Sequence, residues 1–92
     1  MLTVICYDIV EDRNRARVAK MLLDYAYRVQ NSVFECHEGK KVIDKVIREA
    51  GKEIDMETDS VILYKICQEC ARKVVVIGEK KVAVDDTPYI IL

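Results

Sequence analysis

The sequence predicts an α+β fold of the ferredoxin-like kind, in which an antiparallel sheet carries two helices on one face. Three observations predict it. Short β-branched apolar runs recur along the chain, and two segments between them carry apolar residues at helical intervals. The third is a length of 92 residues, which leaves material for one core and not two. A single domain over residues 1–92 is therefore expected, with residues 79–92 as a connector and a C-terminal strand.

Residues 2–10, LTVICYDIV, form a β-branched apolar run that stops at a charged cluster, which reads as a buried strand with Asp8 at its C-terminal end. The segment 12–26 opens on Asp12 as a helix N-cap and places Val18, Met21, Leu22 and Tyr25 at helical spacing. Arg13, Arg17, Lys20 and Asp24 form its wet face. At about 100° per residue Arg15 leaves that face and joins Leu22 and Ala26 on the side toward the sheet. In the first turn, this directs Arg15 to the strand end that holds Asp8.

Residues 28–37, RVQNSVFECH, read as a second strand with Arg28, Gln30, Ser32, Phe34 and Cys36 on one side. A second helix is expected at 40–50, where Val42, Ile43, Val46, Ile47 and Ala50 make one apolar stripe and Gly51 is positioned as its C-cap. DSVILYKI (59–66) and KVVVIG (73–78) then read as strands, with CQECAR (67–72) as a hairpin-like connection between them. The final YIIL (89–92) is a hydrophobic strand on a polar leash. Such a strand pairs with a neighbour's edge as readily as with its own, and it is expected as an exchanged strand in a two-fold homodimer.

Composition narrows the function classes. A net charge of −1 excludes a protein that coats nucleic acid by overall basicity, so any such binding needs a local patch. Arg13, Arg15, Arg17 and Arg28 supply one, clustered in the first third of the chain, while acids dominate from Glu53 to Asp59. No apolar run approaches the ~18 residues of a membrane span. The start has no basic region ahead of its apolar run, so a cytoplasmic protein is expected.

Three motifs now stand in order: YDI at Tyr7, Asp8 and Ile9, the helix start RNRAR, and RVQNSVFEC from Arg28 to Cys36. Together they resemble the CRISPR-associated Cas-two family. The resemblance implies a ferredoxin-like homodimer and a magnesium-dependent nuclease, with manganese as a substitute, acting on single-stranded RNA or double-stranded DNA. It implies also a partner, the Cas-one integrase, whose dimers such proteins bridge while new spacers are captured. Asp8 matches the catalytic, metal-binding aspartate of the family, with one ion shared at the dimer axis. Tyr7, Arg15, Arg17, Arg28 and Phe34 match positions around the site or the nucleic acid. The chain departs from the family pattern with Ala26 in place of a common glycine, Asn31 of an aromatic and Ile62 of an arginine.

Each of these residues also has a plainer reading. Magnesium takes six oxygens, so one Asp8 cannot hold it, whereas two copies facing across a dimer axis could share one ion. A carboxylate ending a strand can instead cap the next loop or pair with Arg15. The arginines can hold phosphates or form a solvated helix face. Phe34 can stack on a base or pack in the core. Cys67 and Cys70 form CxxC, which supplies two zinc ligands and sits between strands, so simple hairpin cysteines are expected, with Cys6 and Cys36 elsewhere. His37 reads as a loop residue. Glu11, Asp12, Glu35 and Glu38 are candidate auxiliary acids, of which Glu11 and Asp12 adjoin Asp8.

Two functions compete on this evidence, a metal-dependent phosphodiesterase and a structural adaptor that clamps DNA for an integrase. A metal-carrier domain would hold CxxC after the first strand, where Tyr7, Asp8 and Ile9 stand. An RNA-recognition domain would show paired aromatics on its central strands, and those are missing.

Overall fold

A computed structural model describes residues 1–78 and the backbone of residues 90 and 91. In chain order the elements are β1 (Leu2–Asp8), α1 (Asp12–Leu23), β2 (Tyr27–Gln30), β3 (Val33–Cys36), α2 (Lys40–Glu53), β4 (Ser60–Ile66), α3 (Gln68–Ala71), β5 (Val75–Val76) and β6 (Ile90–Ile91). The first four strands make one sheet in the order β2-β3-β1-β4, with every neighbouring pair antiparallel. This is the ferredoxin-like α+β arrangement.

Period-two alternation along β1 decides which face each residue serves. Thr3, Ile5 and Tyr7 are buried on the helix side, whereas Val4 and Cys6 are half-buried and Asp8 is exposed on the other. Ile5 lies opposite Phe34 in β3 and joins a core with Val18 and Leu22 of α1 and Val46 of α2. These belong to the stripes read from the sequence, except that Ile47, expected in the α2 stripe, is 48% exposed, because α2 turns only Ile43, Val46 and Ala50 fully inward. Burying them supplies roughly 1.5–3 kcal/mol per large apolar side chain.

The strand expected over residues 28–37, whose subdivision the sequence left open, is a hairpin, β2 and β3, folded at Asn31 and Ser32. Two consecutive polar turn-formers close such a loop more readily than they extend a strand. A register irregularity between Arg28 and Gln30 further breaks the expected alternation. The ladder continues past the turn, because the Tyr7 N–H donates to the Ser32 carbonyl at 3.1 Å.

Helix ends differ from expectation by a few residues. Glu11 takes the N-cap position in extended conformation and Asp12 enters the first turn, where its charge favours the helix N-terminus. α1 ends at Leu23 rather than residue 26. Gly51 does not cap α2, which continues through Glu53 and delivers Ile54, partly buried, to the core.

The largest departure follows β4. CQECAR forms the short helix α3, not a hairpin turn, and β5 leaves the main sheet to pair with β6 in parallel, Val75 opposite Ile90 and Val76 opposite Ile91. Within this chain the terminal strand thus returns to its own β5. Residues 79–88, Tyr89 and Leu92 lie outside the described residues, and so does most of the expected connector and terminal strand.

Helices α1 and α2 cover one face of the sheet. On the other, Ile62 and Tyr64 of β4 are 46% and 54% exposed beside Cys6 and Val4, their register partners. Residues 74–77 shelter the end nearest Leu2 and Ile66, leaving a cavity of about 380 Å³.

Candidate functional site

Asp8 ends β1 opposite Ser60, on the sheet face that the helices leave open. Its side chain is exposed and makes no hydrogen bond or ion pair with any described residue. The two plainer roles for it, a loop cap and an ion pair with Arg15, are therefore not the ones formed here. Arg15 does reach the strand end, as helical spacing predicts, but it donates from Nη1 to the Ile9 carbonyl at 3.2 Å and pairs with Asp12. Asp12 is thereby committed, while Glu11 is exposed and makes no side-chain cap bond.

Asp59 is the carboxylate that the sequence did not single out. Its Oδ1 accepts the Val10 N–H at 3.0 Å, and its Oδ2 accepts the Asp55 N–H at 2.9 Å. Those donors, Val10 first, hold its carboxyl below the ordinary value. Asp59 thus ties the loop after Asp8 to the entrance of β4. Its only sequence signal was the polar pair DS ahead of an apolar run, which marks a strand start and names no partner.

Behind β1, on the helix side, Tyr7, Asp12, Arg15, Ala16, Ala19, Arg28 and Asn31 line a cleft of about 490 Å³. The Tyr7 hydroxyl donates to the Asn31 carbonyl at 3.0 Å and stands 3.5 Å from Arg28 Nη2, which donates to it. The Arg28 guanidinium carbon lies 5.1 Å from the Phe34 ring centre. Tyr7 and Phe34 are neighbours in turn, with ring centres 6.1 Å apart. Arg15 and Arg28, far apart in the chain, so line one cleft, with Asp12 beside Arg15.

The other candidates are placed elsewhere. Arg17 lies on the helix layer, 3.8 Å from Glu53, and does not line the cleft. Phe34, a candidate for base stacking, is fully buried, so its ring faces are occupied by protein and by Arg28. Glu35 is buried in β3 and is not an accessible acid. His37 is exposed after β3 with its ring 6.4 Å from that of Tyr27, as a loop residue. Glu38 is an exposed loop residue as well.

Among the described residues no three His, Cys, Asp or Glu side chains gather where they could hold a metal ion. At the end of β1 the chain offers the exposed Asp8 carboxylate, with Glu11 exposed three residues on, and a hard divalent cation usually takes one or two carboxylates with several waters. The donor chemistry fits such an ion, and a second carboxylate would bring the set to the upper end of that usual number.

The CxxC pair is not between two paired strands, as expected, but opens the turn of α3. Cys67 occupies the N-cap and its Sγ accepts the Cys70 N–H at 3.4 Å. That N–H, with the Cys70 thiol, pulls the Cys67 thiol below its ordinary value, while the same contact pushes Cys70 up. Cys36 is buried, donates to the Tyr25 carbonyl at 3.4 Å, and is pushed up by desolvation.

Comparison with known proteins places this architecture among relatives. The family described as "CRISPR associated protein Cas2" matches residues 1–74. The chain is 37% identical over 91 residues to a CRISPR-associated endoribonuclease Cas2 of Chloroflexus aurantiacus, covering 99% of this chain and 98% of that protein. It is 46% identical over 67 residues to one from Rhodospirillum rubrum, covering 73% of this chain and 54% of that longer relative. The chain thus spans about half the length of the Rhodospirillum protein. The crystal structure of Streptococcus pyogenes Cas2 superposes with a TM-score of 0.74 at 31% identity, covering 85% of this chain and all of that one. Among the described residues, no helix is long and apolar enough to cross a membrane.

Proposed function

The chain belongs to the CRISPR-associated Cas2 family, and from that membership we propose that it acts in CRISPR adaptation as a nucleic-acid-handling homodimer. In this reading it cleaves single-stranded RNA or double-stranded DNA with magnesium and bridges Cas-one integrase dimers during spacer capture. The observation that carries it is Asp8, an exposed carboxylate without a partner among the described residues, at the rim of an apolar sheet face. A second copy packed across that face by two-fold symmetry buries Ile62 and Tyr64 and turns the two Asp8 carboxylates toward one axis. Exchange of β6 between subunits keeps the same ladder on β5, which supports the dimer without new pairing chemistry.

The roles then divide among this chain's residues. Asp8 from each subunit supplies charge and oxygen donors for the cation. Magnesium, when bound, would polarise a phosphodiester and make a bound water more acidic. Arg15 and Arg28 hold backbone phosphates, which fixes position without reading sequence. Tyr7 fixes Arg28 through its hydroxyl and is in turn fixed by Asn31.

One observation favours a second reading, an adaptor without physiological turnover. The Arg15 and Arg28 cleft lies on the opposite face of β1 from Asp8, so phosphate positioning does not depend on the carboxylate. Asp8→Asn tests both readings, because it keeps shape and removes charge. Cleavage should fall by orders of magnitude, while DNA binding keeps its affinity and its salt dependence, since no cation is lost. Unaltered cleavage removes Asp8 as the catalytic residue. Integration with the partner integrase survives under the adaptor reading, and its loss in a folded dimer defeats that reading.

A further inference from the structure

The cysteine pair after β4 has no part in the function proposed above. Its geometry nevertheless singles it out among the four cysteines. Cys67 and Cys70 are both exposed, whereas Cys36 is fully buried and Cys6 half-buried on the sheet. They stand on one turn at i and i+3, where side chains are neighbours, and Cys67 Sγ already receives the Cys70 N–H at 3.4 Å. Three residues apart on one turn the Cα atoms stand about 5 Å apart, within the ~4.4–6.8 Å that a disulfide spans.

We propose that Cys67 and Cys70 form a thiol–disulfide exchange site whose substrate class is low-molecular-weight disulfides, with Cys67 as the attacking thiol and Cys70 as the resolving one. The Cys67 thiolate attacks one sulfur of the small disulfide, forming a mixed disulfide and releasing one thiolate, which takes up a proton. Cys70 then loses its proton to solvent and attacks Cys67 Sγ. This forms the Cys67–Cys70 bond and releases the second small thiol. The protein gives up two electrons and two protons, and the small disulfide becomes two thiols.

The order of attack follows from the contacts around each sulfur. Cys67 is stabilised as a thiolate chiefly by the Cys70 N–H, with the Cys70 thiol second and the Glu69 N–H adding to them. Cys70 is held protonated first by its hydrogen bond to Cys67 and second by the Cys67 charge. Both restraints vanish once Cys67 is bonded to a small thiol, so capping the first sulfur activates the second. The bond closes within one turn and leaves β1 to β4 untouched, so the sheet and its open face keep their form.

Glutathione disulfide, incubated with the reduced full chain near neutral pH, tests the assignment by intact mass and peptide mapping. The wild-type chain should lose two hydrogens, map the new bond to Cys67 and Cys70, and revert with dithiothreitol. Cys70→Ser should accumulate a glutathione adduct on Cys67 several-fold faster than Cys67→Ser accumulates one on Cys70. Equal rates in the two variants overturn the assigned order. First reaction at Cys6, or a wild-type adduct that never resolves into an internal bond, overturns the site. None of these readouts depends on nuclease activity, so the outcome is independent of the function proposed above.

Discussion

Asp59 holds the backbone N–H of Val10 at 3.0 Å across a sequence separation of 49 residues, and so pins the loop that follows Asp8 to the start of β4. Removing the carboxylate frees that loop without touching the core. Asp59→Ala should therefore speed hydrogen exchange at the Val10 amide while leaving the amides of Ile5 and Phe34 protected. Unchanged exchange at Val10 would show that the loop is held by other means.

The same contact sets a pH dependence. The folded chain depresses the Asp59 carboxyl below the ordinary 3.8, chiefly through the Val10 N–H and next the Asp55 N–H. Its stabilising contribution is present above the unfolded-state value and is lost as pH falls through the folded one. Acid unfolding of Asp59→Asn should accordingly show a shallower decline than wild type over that acidic window. Superimposable acid curves would remove Asp59 from the account.

Thr3 sits fully buried in β1, and its Oγ1 is the buried side-chain polar atom left without a hydrogen-bond partner among the described residues. A desolvated hydroxyl with no partner costs more than the methyl group that would replace it. Thr3→Val should stabilise the fold by about 1 kcal/mol, which raises the melting temperature by roughly 4–8 °C for a domain of this size. A lower melting temperature in calorimetry would mean that the hydroxyl is satisfied in solution.

Phe34 tests whether a ring inside the core also contacts nucleic acid. Phe34→Leu should cost about 1–2 kcal/mol in denaturant titration, because the shorter side chain leaves part of the core unfilled. Below its melting range the variant should bind DNA with wild-type affinity, since the ring is fully buried. A folded variant with weakened binding would show that the ring contacts the ligand or seats Arg28, which lies 5.1 Å from its centre, against it.

Deletion of residues 89–92 addresses the terminal strand. Ile90 and Ile91 fill the edge of β5, and in the proposed dimer the partner's copy of that strand fills the same edge. The truncated chain should retain its four-stranded sheet but dissociate at higher protein concentration than wild type in sedimentation equilibrium, having lost ladder bonds and apolar burial. An unchanged dimer would show that β6 stays with its own chain.

Much of this protein was legible in its sequence wherever the signal was local. The β-branched run of β1, the apolar stripes of α1 and α2, and the placement of Arg15 toward the strand end all follow from the fixed periods of strand and helix. Asp8 at the end of β1 follows from the charged cluster that stops the apolar run, whereas the exposed face on which its carboxylate stands is set by the side of the sheet that α1 and α2 cover. Those periods hold whatever the rest of the chain does, so neighbours within about a turn or two are enough to read them.

What required the tertiary structure was every relationship between segments. The hairpin at Asn31 and Ser32 brings Arg28 over Phe34 and onto the Tyr7 hydroxyl, and no spacing within residues 28–37 encodes that meeting. Asp59 finds Val10 only because β4 lies beside β1, and the loop between them returns the chain to the same sheet end. The CxxC pair read as hairpin cysteines because a four-residue helix has too few residues to show a period, and the burial of Ala71 at its end is set only in the folded chain. Local geometry repeats along the backbone and is written in residue order. Contacts across the sheet depend on register and on which strands lie together, and only the folded chain sets those.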